Sequence, residues 1–118
     1  PYNYPNNCVV YTGTHDNDTT VGWFEKLSDH EKDYLWRYLG RIGEAGIHWD
    51  LVRLALSSVA NQALIPLQDL LGLGSEARMN RPGVGEGNWG WRYLPNALTS
   101  EITYRLRRMT EIYNRTPK

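Results

Sequence analysis

Short apolar runs alternate with polar stretches along the 118-residue chain, and this pattern predicts strands that end in polar loops. Val9, Val10 and Tyr11 are consecutive β-forming residues, which predict the end of a buried strand. The chain then turns small and polar, with one histidine and two aspartates between Thr12 and Thr20. In parallel α/β sheets, the loops that follow the carboxyl ends of the strands carry the chemistry. Residues 8–20 are therefore predicted to form a strand and a candidate functional loop.

Three helices are predicted within residues 19–60. The first spans 19–27, with Asn17 or Asp18 as its candidate cap. Ser28 starts the second, at 29–39, because Glu31 three residues later completes a capping box. A glycine-punctuated loop follows, and the third helix runs from about 48 to 60. The apolar faces predicted for these helices are Val21, Trp23, Phe24 and Leu27; Tyr34, Leu35, Tyr38 and Leu39; and Leu51, Leu54, Ala55 and Val59.

The second half of the chain predicts one more strand, a long loop and a last helix. The apolar run 63–68 is short enough for a buried strand, although Pro66 cannot donate a ladder hydrogen bond. Residues 72–95 are rich in glycine and predict a loop long enough to be functional. The terminal helix is predicted at 99–115, with an apolar face of Ile102, Leu106, Met109 and Tyr113.

The resulting order is strand, loop, helices, strand, long loop, helix, which is the order of two successive β/α units. The predicted fold class is therefore α/β, mostly helical, with the chain forming one unit over 1–118. Two parallel strands cannot close a sheet, whereas a whole (β/α)₈ barrel needs about 250 residues. We therefore expect a piece of a larger protein, corresponding to the last two β/α units of such a barrel.

Composition narrows the classes of function. Thirteen basic and thirteen acidic residues give a formal net charge of zero, which removes the electrostatic argument for nucleic acid or an anionic membrane. The sequence has neither a secretory signal pattern nor an apolar run that could cross a bilayer, so a cytoplasmic location is expected, or a plastid one in a plant. The single cysteine, Cys8, is expected to be a buried small hydrophobe. Five tryptophans and eight tyrosines accompany one phenylalanine, and aromatic rings with a polar edge suit carbohydrate sites.

His15 and Asp16 are the first candidates for chemistry because they follow the first predicted strand. The alternative is that the acidic residues of this loop only cap the next helix. A carboxylate in this position suits glycoside chemistry, in which an oxocarbenium-like transition state needs negative charge nearby. The three histidines have no metal-ligand spacing, and His30 and His48 are expected on the surface.

Several motifs in order resemble one known family. They are TGTHDNDT at 12–19, Gly22-Trp23, PLQDLLGLG at 66–74, Arg78-Met79-Asn80 with Pro82-Gly83, and Asn88-Trp89 with Trp91-Arg92. Together they are similar to the carboxyl-terminal part of the amylomaltases, which are 4-α-glucanotransferases and are called disproportionating enzymes in plants. The resemblance covers almost the whole chain.

The resemblance implies a (β/α)₈ barrel that transfers α-1,4-glucan segments between maltooligosaccharides, or to glucose, with retention and without a cofactor or metal. It implies that Asp16 stabilises the transition state and that His15 and Asn80 bind substrate. Arg78, Trp89 and Trp91 match family positions, where they either contact sugar or pack the long loop.

The same resemblance implies that the nucleophile and the acid/base of the family lie upstream of this chain. Asp18 lies in the same loop as Asp16, and Asp69 matches a structural motif, so neither is expected to replace them. Such a piece would be inactive alone, and its exposed barrel edges suggest self-association. The alternative function is a non-catalytic carbohydrate-binding or scaffold module in which Trp89 and Trp91 are stacking platforms.

Overall fold

Two short parallel strands form the only sheet within the described part of the chain, and the helices pack around it. The structure is a computed structural model that describes residues 1–40 and 43–117. Strand β1 is Val9–Tyr11 and strand β2 is Gln62–Leu64. Val9 pairs with Gln62 and Tyr11 with Leu64, so both strands point their carboxyl ends to the same side. The predicted parallel pairing of two β/α units is confirmed.

Five α-helices and one 3-10 helix complete the described structure. In chain order they are α1 (Thr20–Glu25), α2 (Asp29–Leu39), α3 (Ile47–Leu56), α4 (Leu67–Leu70), the 3-10 helix Ser75–Ala77, and α5 (Ser100–Ile112). Helix α2 has the predicted bounds, whereas α3 and α5 end three or four residues earlier than predicted. Residues 41 and 42 of the predicted glycine-punctuated loop lie outside the described residues. No helix in the described ranges has both the length and the apolar character that a membrane crossing needs.

The helix caps explain where the helices begin. Ser28 Oγ accepts a hydrogen bond from the Glu31 amide, and the Glu31 carboxylate accepts one from the Ser28 amide, so the predicted capping box is confirmed. At α1 the cap is Thr19, whose hydroxyl accepts from the amide of Gly22. The prediction of Asn17 or Asp18 as this cap is wrong, because both side chains have other partners. Asn17 accepts from Thr14, and Asp18 accepts from Thr19, Lys26 and Ser75.

The predicted second strand is too long. Residues 65–68 were expected to continue it, but β2 ends at Leu64 and Pro66 instead precedes helix α4. Pro66 has no amide hydrogen for a ladder, and its carbonyl accepts from the Asp69 amide at 3.0 Å. The proline therefore turns the chain into a helical turn that carries Gln68 and Asp69 inward, where both are buried.

Helix α3 forms the centre of the core. Val52 is fully buried and clusters with Trp49, Leu56 and, from α5, Met109. The predicted apolar face of α5 is confirmed, since Ile102, Leu106 and Tyr113 pack against this cluster. The predicted face of α3 is correct at Ala55, whereas Val59 lies beyond the helix and is exposed.

A second, smaller cluster of Val10, Ala55 and Ala60 joins the sheet to α3. Only Val10 of β1 is buried, so the expectation of a strand buried throughout is wrong for Val9 and Tyr11. Cys8 packs beside this cluster and is half-buried rather than buried.

Helix α1 also differs from the predicted pattern, and the apolar face predicted for α2 contains no buried residue. The buried residues of α1 are Thr20 and Gly22, whereas Trp23 is 42% exposed. No residue of α2 is buried, and Tyr34 is 70% exposed. The physical reason at α1 is close packing: a side chain at Gly22 would collide with Ser75 and Asp18. The helix therefore approaches its neighbours through its smallest residue.

Candidate functional site

The loop of residues 12–20, which we call the acidic loop, leaves the carboxyl end of β1 and is held at both ends by Asp69. The hydroxyl of Thr12 donates to Oδ2 of Asp69 at 2.6 Å, and the amide of Thr20 donates to Oδ1 at 2.8 Å. Asp69 is only 2% exposed. A buried carboxyl group whose two oxygens accept from the two ends of a loop fixes the span of that loop.

Asp18 ties the acidic loop to its neighbours along the chain and in space. Its carboxylate accepts from Lys26 Nζ at 2.6 Å, from Ser75 Oγ at 2.8 Å and from the Thr19 amide at 2.8 Å. Burial raises the pKa of Asp18, but these hydrogen bonds and the Lys26 charge outweigh burial and hold the pKa below its ordinary value. Asp18 is therefore a structural carboxylate, already engaged by three donors.

Asp16 has a different environment at the tip of the same loop. Its side chain is 50% exposed, and Oδ1 accepts from Asn80 Nδ2 at 2.7 Å. Its Oδ2 lies 3.3 Å from Nε2 of His15. One carboxylate oxygen is thus fixed by an amide, and the other faces the histidine and solvent.

The residues predicted from the long loop come close to Asp16. Arg78 donates from Nη2 to the main-chain oxygen of Asp16 at 2.7 Å and from Nε to that of Asn80 at 2.8 Å. The Trp89 ring lies 5.4 Å from the His15 ring, centroid to centroid, at an interplanar angle of 33°. Five of the six predicted site residues are therefore brought together.

Trp89 adopts a left-handed backbone conformation, with φ of 62°, which a bulky side chain rarely adopts. Its amide donates to the Met79 carbonyl at 2.7 Å, which closes the base of the loop 79–89. Backbone strain of this kind persists where the surrounding structure enforces it, and it concentrates at functional sites. Trp91, the sixth predicted residue, is half-buried and connects to this group through Arg92, which donates to the carbonyls of both tryptophans.

A surface depression of about 450 Å³ lies beside His15 at the carboxyl ends of the strands. It is lined by Tyr11, Gly13, Thr14, His15, Leu64, Ile65, Pro66 and Met79. The walls combine apolar side chains with the polar residues of the acidic loop. Such a surface suits a ligand that has both apolar faces and hydroxyl groups.

Sequence reasoning assigned Asp69 to a structural motif, but it did not predict the contacts of the residues that support the site. Thr12, Ser75 and Asp69 make the long-range bonds of the acidic loop. A signal for Thr12 and Asp69 was available, because each is a polar residue soon after a predicted strand. No local pattern indicated Ser75.

His48 is half-buried, so its expected surface position is wrong; His30 is exposed, as predicted. The His48 ring packs under Gly46 and Gly72. Burial lowers the pKa of His48, Asp69 and Asp50 oppose this shift, and Arg105 adds to it. Within residues 1–40 and 43–117 there is no cluster of three potential metal-ligating side chains.

Chemically, the arrangement offers one partly exposed carboxylate, held by an amide and flanked by an imidazole and an indole. It can place negative charge beside a bound ligand and accept hydrogen bonds from hydroxyl groups. The other two acids near it, Asp18 and Asp69, are engaged by their own donors. Polar side chains grouped at the carboxyl ends of adjacent parallel strands are typical of α/β enzymes.

Comparison with known proteins names the family within this class. A family model described as 4-alpha-glucanotransferase matches residues 1–99. The chain belongs to the 4-α-glucanotransferase family, and the resemblance found in its motifs is confirmed.

Individual relatives agree with this assignment. The chain is 57% identical to a 4-alpha-glucanotransferase of Synechocystis sp. over 98% of its own length and 23% of the relative's. The identity to the Thermus thermophilus 4-alpha-glucanotransferase is 51%, over 98% of this chain and 24% of that protein. A solved structure of amylomaltase from Streptococcus agalactiae in complex with acarbose superimposes with a TM-score of 0.95 at 37% identity, covering 99% of this chain and 24% of that one. The chain thus spans about a quarter of the length of these relatives.

Proposed function

We propose that this chain forms the last two β/α units of a 4-α-glucanotransferase (β/α)₈ barrel. The parallel pairing of β1 and β2 supports this, because adjacent parallel strands with helical connections are the repeating unit of such a barrel. The exposed residues of the strands, among them Val9, Tyr11 and Leu64, are consistent with further strands and helices packing against them in the whole protein. The enzyme would move α-1,4-glucan segments between maltooligosaccharides, or to glucose, by a retaining double displacement.

Asp16 is the proposed stabiliser of the transition state. The observation that carries this proposal is the convergence of two distant stretches on one partly exposed carboxylate: His15 beside it, and Asn80 and Arg78 from more than sixty positions away. An oxocarbenium-like transition state is stabilised by fixed negative charge, and a fixed carboxylate does not need to reorganise as that charge develops.

The neighbouring residues have supporting roles in the proposal. His15 and Asn80 bind sugar hydroxyls beside Asp16, and Trp89 supports the His15 ring on which it packs. Trp91 packs the long loop next to it, with its carbonyl held by Arg92. The solved structure of the Streptococcus agalactiae amylomaltase contains acarbose, and this supports a carbohydrate-binding site in the family.

The nucleophile and the acid/base would come from other strands of the barrel. A retaining mechanism needs two carboxyl groups about 5 to 5.5 Å apart. Asp18 and Asp69, the acids that hold the acidic loop, already accept two or more hydrogen bonds each. We therefore expect the isolated chain to be inactive. We also place the whole enzyme in the cytoplasm, or in a plastid if it is a plant protein, like the Arabidopsis thaliana relative whose name reads chloroplastic/amyloplastic.

The test is Asp16→Ala in the full-length enzyme, with glucose release from maltotriose as the assay. We expect kcat to fall at least about 100-fold, the scale of losing one preorganised electrostatic contact. Asp33→Ala is the matched control, because Asp33 is similarly exposed, at 54% against 50%, but lies on α2. Near-normal turnover of Asp16→Ala would overturn the proposed role.

A second measurement separates this function from a carbohydrate-binding module. Maltooligosaccharides are titrated against the tryptophan fluorescence of the isolated chain, in which Trp89 is exposed. We expect no saturable change, because most of the sugar site would lie on other strands. Tight binding by this chain alone would favour the module.

A further inference from the structure

Arg78 joins the two stretches of chain that build the proposed site. Its Nη2 donates to the main-chain oxygen of Asp16 at 2.7 Å, and its Nε donates to the main-chain oxygen of Asn80 at 2.8 Å. Asn80 in turn donates from Nδ2 to Oδ1 of Asp16 at 2.7 Å. These three hydrogen bonds connect Asp16, Arg78 and Asn80 pairwise. Both the main chain and the carboxylate of Asp16 are therefore fixed relative to the long loop.

An arginine is suited to this task. Its planar guanidinium carries donors at fixed angles, so it can hold two carbonyl oxygens in one geometry, which the single flexible ammonium of lysine cannot match. Both acceptors of Arg78 are main-chain atoms. Its contacts therefore set the course of the two backbones rather than the position of a single side chain.

The tip of the acidic loop depends on such a support. Asp69 holds the two ends of the loop through Thr12 and Thr20. Between these ends, Thr14 and Asn17 are exposed and hydrogen-bond to each other. Among the described residues, Arg78 and Asn80 connect Asp16 itself to the long loop in which they lie. Loss of Arg78 would remove the hydrogen bond that holds the main chain at Asp16, and Asp16 would keep only the side-chain bond from Asn80 to the long loop.

We propose that Arg78 is a positioning residue of the transfer reaction, which holds Asp16 and Asn80 in register without contacting the sugar. This inference rests on the function proposed for Asp16. A misplacement of about 1 Å at a reacting centre costs about 100-fold in rate. Arg78 would therefore act on kcat through the carboxylate, while the binding of substrate elsewhere stays intact.

The experiment measures kcat and KM for maltotriose in the full-length enzyme carrying Arg78→Ala, Arg78→Lys, Asp16→Asn or the double change Asp16→Asn with Arg78→Ala. We expect Arg78→Ala to lower kcat about 100-fold with KM changed less than about threefold. Arg78→Lys should recover part of the loss, because lysine can still donate to one of the two carbonyls. The double variant should be no slower than Asp16→Asn alone, since Arg78 acts through Asp16.

Arg81→Ala is the matched control, because Arg81 lies in the same loop but donates to the Ser75 carbonyl instead. We expect its kcat to stay near that of the unaltered enzyme. Unchanged kcat in Arg78→Ala, a raised KM at unchanged kcat, or losses that add in the double variant would each overturn the positioning role. Near-normal activity of Asp16→Asn would instead overturn the proposed function, so the two failures are distinguishable.

Discussion

The acidic loop and helix α2 lie close together in the chain but are held in opposite ways. The loop has little regular secondary structure, and its bonds reach residues 49 to 64 positions away, from Thr20 to Asp69 and from Asp16 to Asn80. Helix α2 has no buried residue and is held by its own capping box and by an ion pair between Asp33 and Arg37. The irregular segment is thus the one that tertiary contacts specify most strongly.

This difference has a physical reason. A helix satisfies its main-chain groups within a few residues, whereas a loop must find partners elsewhere or in water. In the acidic loop, the buried carboxyl group of Asp69 accepts from the Thr20 amide. The half-buried carboxylate of Asp18 accepts from the Thr19 amide. A loop that must hold a carboxylate at a fixed place gains precision from such support, and helix α2 has no comparable task in the described structure.

The largest expected effect is from Asp69→Ala, which removes both end supports of the acidic loop. Each hydrogen bond to a charged group is worth about 1.5 to 3 kcal/mol, so we expect a local loss of about 3 kcal/mol. Native-state hydrogen exchange of the full-length protein should show residues 12–22 exchanging roughly 100-fold faster, with α2 unchanged. The paired change Asp33→Ala removes one exposed ion pair and should alter exchange of α2 by about 0.5 kcal/mol or less. Similar losses in the two variants would contradict the comparison.

A smaller effect is expected from Gly22→Ala, which tests how closely α1 must approach the 3-10 helix. The added Cβ would lie 2.3 Å from Ser75 Oγ and 2.7 Å from Asp18 Oδ1. Because overpacking of this kind costs about 1 to 3 kcal/mol, we expect a lower melting temperature and a weakened bond between Asp18 and Ser75. Gly85→Ala is the control, since its Cβ would meet no atom within 4 Å. A melting temperature as high as that of the control would show that the helix can shift freely.

The same contrast explains what the sequence could predict. Helix α2 begins and ends at the predicted residues because its signals, Ser28, Glu31 and the terminal Gly40, are local. The predicted strand 63–68 is longer than β2, because a proline such as Pro66 can end a strand or precede a helix. Only the tertiary packing decides between these two roles. Periodicity alone predicted a core-facing side for α1 and an apolar face for α2, but that pattern does not say whether a partner covers the face.

The candidate site was predictable in its members but not in its connections. His15 and Asp16 follow from their place after a strand, and Asn80, Arg78, Trp89 and Trp91 from the resemblance to a family. The hydrogen bonds from Arg78 to Asp16 and from Asn80 to Asp16 join residues more than sixty positions apart. Neither periodicity nor spacing encodes such pairs, and they emerge only when the two strands bring their carboxyl ends together.

Acid titration sharpens the comparison further, because each region contains one carboxyl group with a lowered pKa. Burial raises the pKa of Asp18, but hydrogen bonds from Lys26, Ser75 and Thr19 outweigh burial and lower this pKa below its ordinary value. Hydrogen bonds within the capping box lower the pKa of Glu31 below its ordinary value. A carboxyl whose pKa is depressed in the folded state stabilises that state above its unfolded pKa, and the contribution is lost as the pH falls through the folded value.

We expect protection of residues 18–25 against hydrogen exchange, corrected for the intrinsic rate, to fall as the pH drops from about 5 through the lowered pKa of Asp18. Asp18→Asn should remove most of this pH dependence, because an amide cannot replace the charge that faces Lys26. Glu31→Gln should change α2 less, since the capping box is exposed and solvent screens its charge. Equal losses of pH dependence in the two variants would contradict the comparison. They would show that a carboxylate with partners far along the chain stabilises its region no more than one with local partners.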